Sequence, residues 1–291
     1  MHSMRPMRVA NWVLVLTAAK GVSDDMVGAA LAGLASEAPR RLSACAVEVG
    51  IRGARPVVAL AGVDINVVPA ANREKKLLIA DMDSTIISVE CIDELADFAG
   101  VKAQISAITE RAMQGALGFE ASLEARVALL KGLGEEALAR CYGERISLNP
   151  GAQTLVQTMN ARGAYTALVS GGFTYFSSRV GADAGFMHHR ANVLGVAEGV
   201  LDGSVAKPIL GREAKLEALD EICATRGISR ADVMAVGDGA NDLAMIEAAG
   251  IGVAYRAKPA LKQAADVVLD HSDLSALLAI QGIDEADYSS S

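Results

Sequence analysis

Aromatic residues are scarce in this sequence. They make up 4% of its 291 residues, whereas hydrophobic residues make up 52%. Small aliphatic side chains and glycine therefore dominate the apolar content, which suits packed layers of helices and strands. A disordered chain would contain fewer apolar residues and more charge. The length favours two or more folding units, each able to bury its own core.

Cysteine and long apolar runs are also sparse. The four cysteines, Cys45, Cys91, Cys141 and Cys223, are widely spaced and form no C-x-x-C pair, which favours reduced thiols over disulfides or a metal site. No apolar run reaches the ~18–20 residues that a membrane helix needs. The apolar stretch at residues 9–19 lacks a signal-peptide pattern. We therefore expect a cytoplasmic protein without a membrane partner.

Positive charge is in deficit, since 27 Lys and Arg residues face 35 Asp and Glu residues and give a formal net charge of −8. Binding to a nucleic-acid backbone needs a basic surface, so the balance argues against nucleic acid as a partner. A small anionic substrate needs only a local group of donors and cations. We expect a small-molecule substrate.

The first 72 residues have the pattern of a small α+β domain. A strand is predicted at 12–17, a helix capped by Ser23 at 24–34, and two strands near 44–51 and 56–61. This order resembles part of a ferredoxin-like domain of the ACT kind, the group of small amino-acid-binding regulatory domains. We therefore predict an N-terminal α+β domain over residues 1–72.

The remaining chain alternates between strands and helices, which predicts an α/β fold with a Rossmann-like parallel sheet. Its first strand is the apolar run 77–80, and the alternation resumes after Pro150. Residues 91–147 interrupt this core with apolar residues at helical spacing, which predicts four short helices that form a cap. The predicted catalytic core is 73–90 and 148–282, and 283–291 is predicted to be a flexible acidic tail.

Two carboxylates, Asp81 and Asp83, follow the first core strand directly. A phosphoryl acceptor must be ionised near neutral pH, and an aspartate meets this requirement. A second carboxylate beside it can protonate the leaving alkoxide and later activate water. The string from Asp81 to Thr85 after an apolar strand is therefore a candidate catalytic motif.

Two further motifs occupy turns after apolar strands. Ser170 and Gly171 begin a small-residue turn before a helix, where a hydroxyl and backbone N–H groups can bind phosphate. Asp238, Asn241 and Asp242 gather hard oxygen ligands of the kind that Mg²⁺ prefers. Either motif alone also fits an ordinary turn or a helix cap.

These motifs, with Lys215 between the second and third, resemble the haloacid dehalogenase superfamily of phosphatases. The resemblance implies Asp81 as nucleophile and Asp83 as general acid and base. It also implies that Ser170, with Gly171, and Lys215 bind the transferring phosphoryl group. Mg²⁺ would be held by Asp81, by the backbone carbonyl of Asp83 and by Asp238, with Asn241 and Asp242 in orienting roles.

Within that superfamily the sequence resembles the phosphoserine phosphatases, in the run from Asp81 to Glu90 and in the helical segment that starts at Phe119. That resemblance implies that Glu90 pairs with the ammonium of phosphoserine and Arg126 with its carboxylate. Met113 and Phe119 would exclude water. The implied reaction is hydrolysis of phosphoserine with Mg²⁺, the last step of serine biosynthesis, and a homodimer is compatible with it.

Two alternatives remain open from the sequence. The first is a phosphatase or phosphotransferase that acts on another small phosphate ester. The second is a phospho-acceptor signalling module similar to a receiver domain. Asp83 beside the acceptor argues against the second, because it would hasten loss of the phosphoryl group. The insert at 91–147 also has no purpose in such a module.

Overall fold

The computed structural model describes residues 10–113 and 116–289. Its first part is a four-stranded antiparallel sheet, called here the N-terminal sheet, with strand order β2-β3-β1-β4. The elements of this part are β1 (Trp12–Thr17), α1 (Asp24–Leu31), β2 (Arg40–Ser43), β3 (Ala46–Ile51) and β4 (Asp64–Pro69).

Strand β1 and the start of α1 agree with the sequence prediction. At the start of α1, the Ser23 hydroxyl accepts a hydrogen bond from Met26 N at 3.2 Å. The strand predicted at 56–61 is wrong. That segment is irregular, because Pro56 lacks an N–H for a ladder and Val57 is fully exposed. The fourth strand is β4 instead, whose polar Asp64 and Asn66 break the apolar pattern of a strand.

Both faces of the N-terminal sheet are covered. Leu14 and Leu16 on β1 join a core with residues of α1, whereas Val13 and Val15 point to the other face and join the large core of the rest of the chain. Alternate side chains of a strand point to opposite faces, so β1 is buried on both sides. The N-terminal sheet therefore packs directly on the remainder of the molecule.

The second part is a six-stranded parallel sheet with order β12-β11-β10-β5-β6-β7, here the central sheet. It confirms the predicted Rossmann-like core, and all four residues of its first strand are buried. The strands are β5 (Leu77–Ala80), β6 (Tyr165–Phe173), β7 (His188–Asn192), β10 (Val233–Gly237), β11 (Ile251–Tyr255) and β12 (Val267–Leu269).

The four helices predicted between residues 91 and 147 are present: α2 (Cys91–Phe98), α3 (Lys102–Met113), α4 (Phe119–Ala128) and α5 (Glu135–Arg145). A hairpin of β8 (Leu194–Ala197) and β9 (Val200–Val205) projects toward this helical insert. Leu201 joins the two units, because its carbonyl accepts from Gly132 N and its N–H donates to Leu133 O, both at 2.8 Å.

Five helices pack around the central sheet: α6 (Ala152–Ala161), α7 (Thr174–Ala184), α8 (Arg212–Arg226), α9 (Leu243–Ala248) and α10 (Pro259–Ala264). The last helix, α11 (Ala276–Ile280), packs on β1 and β3 of the N-terminal sheet. Within the described ranges, no helix has the length and apolar character needed to cross a bilayer.

The acidic end of the chain is ordered as far as the structure describes it, in contrast to the predicted flexible tail. Ile283 is buried, and residues 285–287 form a short 3₁₀ turn. Ser289 N donates to the Thr158 hydroxyl on α6 at 2.9 Å. These contacts attach residues 283–289 to the surface of α6.

Candidate active site

The chemical motifs meet at one edge of the central sheet. Asp81 follows β5, Ser170 lies near the end of β6, and Asp238 follows β10, and these three strands are neighbours. The carboxyl ends of parallel strands open at the same edge, where ligands of such sheets bind. Lys215, in the first turn of α8, reaches the same place.

A buried charge triad forms the centre of this edge. Lys215 Nζ lies 2.7 Å from Asp81 Oδ1 and 2.6 Å from Asp242 Oδ1. Burial raises the pKa of Asp81, and the nearby Lys215 ammonium opposes that rise. Burial alone would lower the pKa of Lys215, but attraction to both carboxylates outweighs it and raises this pKa. Lys215 is therefore held as a cation beside Asp81.

Asp242 is fixed through both of its carboxylate oxygens. Oδ1 contacts Lys215, and Oδ2 accepts hydrogen bonds from Asp238 N and Gly239 N, each at 3.1 Å. A side chain at Gly237 would collide with this carboxylate, so the backbone there must approach closely. Asp242 thus shapes the loop that presents Asp238.

The residues at this edge fit a divalent cation. Asp81, Asp238 and Asp242 each offer an oxygen within 4.8 Å of the others. Asp83 Oδ1 is buried and has no hydrogen-bond partner among the described residues. Burial, followed by repulsion from Asp242 and Glu90, raises the pKa of Asp238 to about 6. Carboxylate oxygens in this arrangement suit Mg²⁺, whose charge would offset their repulsion.

Asp83 lies close both to the turn that contains Ser170 and Gly172 and to Glu90. A Cβ atom placed on Gly172 would be 3.0 Å from Asp83 Oδ2, a tight contact that Asp83 could accommodate only by moving a few tenths of an ångström. Burial, and next the charge of Glu90, raise the pKa of Asp83 to about 7, while the thiol and backbone N–H of Cys91 oppose the rise. A carboxyl group with such a pKa can both donate and accept a proton near neutrality.

Ser170 and Gly171 are held by a residue that the sequence analysis missed. The Ser170 hydroxyl accepts from Gly172 N at 2.9 Å. Buried Asn192, at the end of β7, donates to Gly171 O at 2.9 Å and to Leu210 O at 3.3 Å, and accepts from Leu210 N at 2.7 Å. Asn192 therefore ties the serine turn to the segment that leads into α8 and Lys215. An asparagine inside a strand was the only available signal, because this residue is depleted in strands.

Glu90 and Arg126 lie near each other on the side of the helical insert. The Ser84 hydroxyl, on a residue with a φ of 57°, donates to Glu90 Oε1 at 2.7 Å and orients that carboxylate. Arg126 Nε donates to Ser122 O at 3.2 Å. Burial lowers the pKa of Arg126, and the charges of Asp93 and Glu90 oppose this. The sequence analysis did not identify Ser84 as a support for Glu90.

Phe119 starts α4 and covers two glycine-containing turns. Its ring lies 3.4 Å from the position of a Cβ on Gly171 and 3.2 Å from one on Gly211. Asn241 lies in the loop of Asp238 and is partly buried. Met113 ends α3, but its side chain is outside the described residues. The structure thus gathers the predicted residues around one site, apart from the Met113 side chain.

Known proteins of similar sequence and fold agree with this site. Residues 75–250 match the model of the haloacid dehalogenase-like hydrolases. A phosphoserine phosphatase of Polaromonas is 45% identical over 210 residues, which are 70% of this chain and 89% of that protein. The phosphoserine phosphatase of Archaeoglobus fulgidus is 45% identical over 221 residues, 75% of this chain but only 64% of that protein.

A solved structure matches nearly the whole chain. It is a HAD family hydrolase from Salmonella enterica serovar Typhi, with a TM-score of 0.81, 27% sequence identity, and coverage of 92% of this chain and 98% of that one. The chain belongs to the haloacid dehalogenase-like hydrolases and, among them, to the phosphoserine phosphatases.

Proposed function

We propose that this protein hydrolyses phosphoserine to serine and inorganic phosphate through a phosphorylated Asp81. The observation that carries the proposal is the contact of Asp81 with Lys215 at 2.7 Å, beside Asp238 and Asp83, at the carboxyl edge of the sheet. Membership of the phosphoserine phosphatases supports this choice of substrate. The reaction yields serine, as the last step of serine biosynthesis.

The first half of the reaction transfers the phosphoryl group to Asp81. Its Oδ1 already accepts from Met82 N at 2.8 Å and contacts Lys215, so we assign the attack on phosphorus to Oδ2. The phosphorus–oxygen bond to serine breaks as the bond to Asp81 forms, and Asp83 gives its proton to the departing serine oxygen.

The second half releases phosphate. Asp83, now ionised, takes a proton from a water molecule, which attacks phosphorus and displaces the Asp81 carboxylate. A pKa of about 7 lets Asp83 change protonation state twice in each cycle without a large energetic cost.

Charge on the phosphoryl oxygens is neutralised by positioned donors. Lys215 supplies a cation, Ser170 a hydroxyl, and the Gly171 turn supplies backbone N–H groups. Asp81, Asp238 and the main-chain carbonyl of Asp83 would hold Mg²⁺, which supplies further positive charge to the phosphoryl oxygens when bound. Asn241 and Asp242 would orient these groups, and the fixed carboxylate of Asp242 supports that role.

The choice of phosphoserine depends on the helical insert. Glu90, oriented by Ser84, would pair with the substrate ammonium, and Arg126 would pair with its carboxylate. Phe119 covers the glycine turns and would exclude water during transfer, together with Met113. We propose that residues 91–147 act as a cap over a core formed by 73–90 and 148–282.

The proposal is tested by phosphate release from phosphoserine, phosphoethanolamine, phosphoglycolate and an aryl phosphate, each with Mg²⁺ and with excess chelator. We expect phosphoserine to have the highest kcat/KM and chelation to stop all release. Equal rates on every ester would remove phosphoserine as the substrate, and full activity in chelator would remove the metal site.

A further inference from the structure

The edge strand of the central sheet is bound by the N-terminal sheet. Strand β12 pairs with β11 on one side only. On its free side, Val268 O accepts from Asn66 Nδ2 at 3.0 Å, and Val268 N donates to Asn66 Oδ1 at 2.9 Å. One carboxamide thus satisfies the backbone donor and acceptor that a neighbouring strand would otherwise satisfy.

A buried carboxylate from the same strand holds the turn after β12. Asp64 accepts from the backbone N–H groups of Asp270 at 2.9 Å, His271 at 3.0 Å and Ser272 at 2.8 Å. The Ser272 hydroxyl also donates to the Thr17 hydroxyl on β1 at 2.8 Å. Bonds of this kind to a charged acceptor are each stronger than neutral ones.

Further contacts fix the two sheets relative to each other. Arg73, between them, contacts Glu48 of β3 at 2.7 Å and donates to Ile280 O at 2.9 Å and Ala279 O at 3.0 Å in α11. Its side chain is largely buried, and one face of β1 shares a core with α11. Buried polar and apolar contacts therefore join the N-terminal sheet to the rest of the chain.

Two backbone hydrogen bonds connect β12 to the loop of Asp238, by way of the segment that follows β11. Arg256 N, after β11, donates to Leu269 O at the end of β12 at 2.7 Å. Lys258 N, two residues later, donates to Asp238 O at 3.0 Å. Displacement of β12 would therefore act on the segment 256–258 and, through it, on the main chain of Asp238.

We infer that Asp64 and Asn66 are positioning residues, through which the N-terminal sheet holds β12 and the Asp238 loop in place. The N-terminal sheet is then a fixed support of the catalytic edge, not a mobile regulatory unit. This inference rests on the proposed function only where it concerns the role of Asp238 toward Mg²⁺. Asp64 and Asn66, the polar residues that kept β4 from being predicted as a strand, are the ones that bind β12 and the turn after it.

The test compares Asn66→Ala with Ser23→Ala in the full-length protein. Ser23 caps α1, the helix that packs on the N-terminal sheet. Removal of its hydroxyl destabilises that part of the chain without removing any contact to β12. Asn66→Ser is the milder second variant. It adds no charge to this buried position, its single hydroxyl cannot replace both bonds to Val268, and it serves the same comparison if Asn66→Ala does not fold.

Two measurements test whether Asn66 positions β12 and the Asp238 loop. Amide hydrogen exchange should accelerate in residues 253–258 of the Asn66 variants and stay unchanged there in Ser23→Ala. The Mg²⁺ concentration for half-maximal phosphate release should rise roughly 2- to 30-fold at unchanged KM for phosphoserine, the usual range for residues that act on a site from outside.

The exchange measurement needs no catalytic activity, so it stands even if phosphoserine is not the substrate. Unchanged exchange at 253–258 in both Asn66 variants would overturn the inference. It would also be overturned if Ser23→Ala produced the same exchange and the same rise in Mg²⁺ requirement, because the N-terminal sheet would then contribute only general stability.

Discussion

Replacement of Asn192 by alanine tests how the Ser170–Gly171 turn, the proposed phosphate-binding turn, is held in place. The change removes three hydrogen bonds, to Gly171 O, Leu210 O and Leu210 N, at a position that is 2% exposed. At about 0.5–1.5 kcal/mol for each bond, the loss is roughly 1.5–4.5 kcal/mol, shared between folding and the geometry of the site. If the turn binds the phosphoryl group as proposed, kcat/KM should fall on the order of 10–100-fold for every ester alike.

The assay measures kcat/KM for phosphoserine, phosphoethanolamine and phosphoglycolate, together with thermal unfolding. Asn160→Ala is the matched control, because Asn160 also bridges two segments, donating to Gly185 O at 2.7 Å and accepting from the Thr166 hydroxyl at 2.8 Å, outside the site. Equal losses of activity in the two variants at equal stability would refute the positioning role of Asn192. So would a loss confined to phosphoserine.

Three other predictions follow from the site. Asp83→Asn should lower kcat/KM on the order of 10²–10⁴-fold for phosphoserine and much less for an aryl phosphate, whose leaving group needs no proton. Equal losses of kcat/KM on both substrates would contradict the role of Asp83 as an acid. Arg126→Ala should lower kcat/KM about 10–100-fold for phosphoserine and hardly change it for phosphoethanolamine, and Glu90→Gln should penalise phosphoserine more than phosphoglycolate. If either variant weakens all esters equally, the residue supports the insert rather than the substrate. Asp238→Ala should raise the Mg²⁺ concentration for half-maximal activity, and an unchanged value would argue against this ligand.

The sequence was sufficient to predict the central sheet, except for its edge strand β7, and the residues at its carboxyl edge. The uninterrupted apolar run at 77–80 indicated a strand covered on both faces, and it is fully buried. Each reactive motif follows such a strand directly, so the general rule for parallel sheets brought Asp81, Ser170 and Asp238 together. The rule needs no knowledge of side-chain contacts, which explains its success here.

Residues that act through tertiary contacts could not be found in the same way. Asn192 binds Leu210, which is 18 residues away, and Asn66 binds Val268 across 202 residues. Their partners are backbone groups, which carry no sequence signature. In β4 the polar side chains even argued against a strand, because their partner was a strand of another sheet. Ser84 was hidden for a related reason, since its role depends on a left-handed backbone that the sequence does not reveal.

The central claim is that phosphoserine transfers its phosphoryl group to Asp81, and acid-quenched single turnover tests it most directly. Enzyme with Mg²⁺ is mixed with phosphoserine that carries labelled phosphate, quenched during the first turnover, digested and analysed by peptide. We predict that the label is found on the peptide containing Asp81, and that Asp81→Asn forms no labelled protein and releases no phosphate. Label on another residue, or phosphate release by Asp81→Asn at the rate of the unaltered enzyme, would contradict the account.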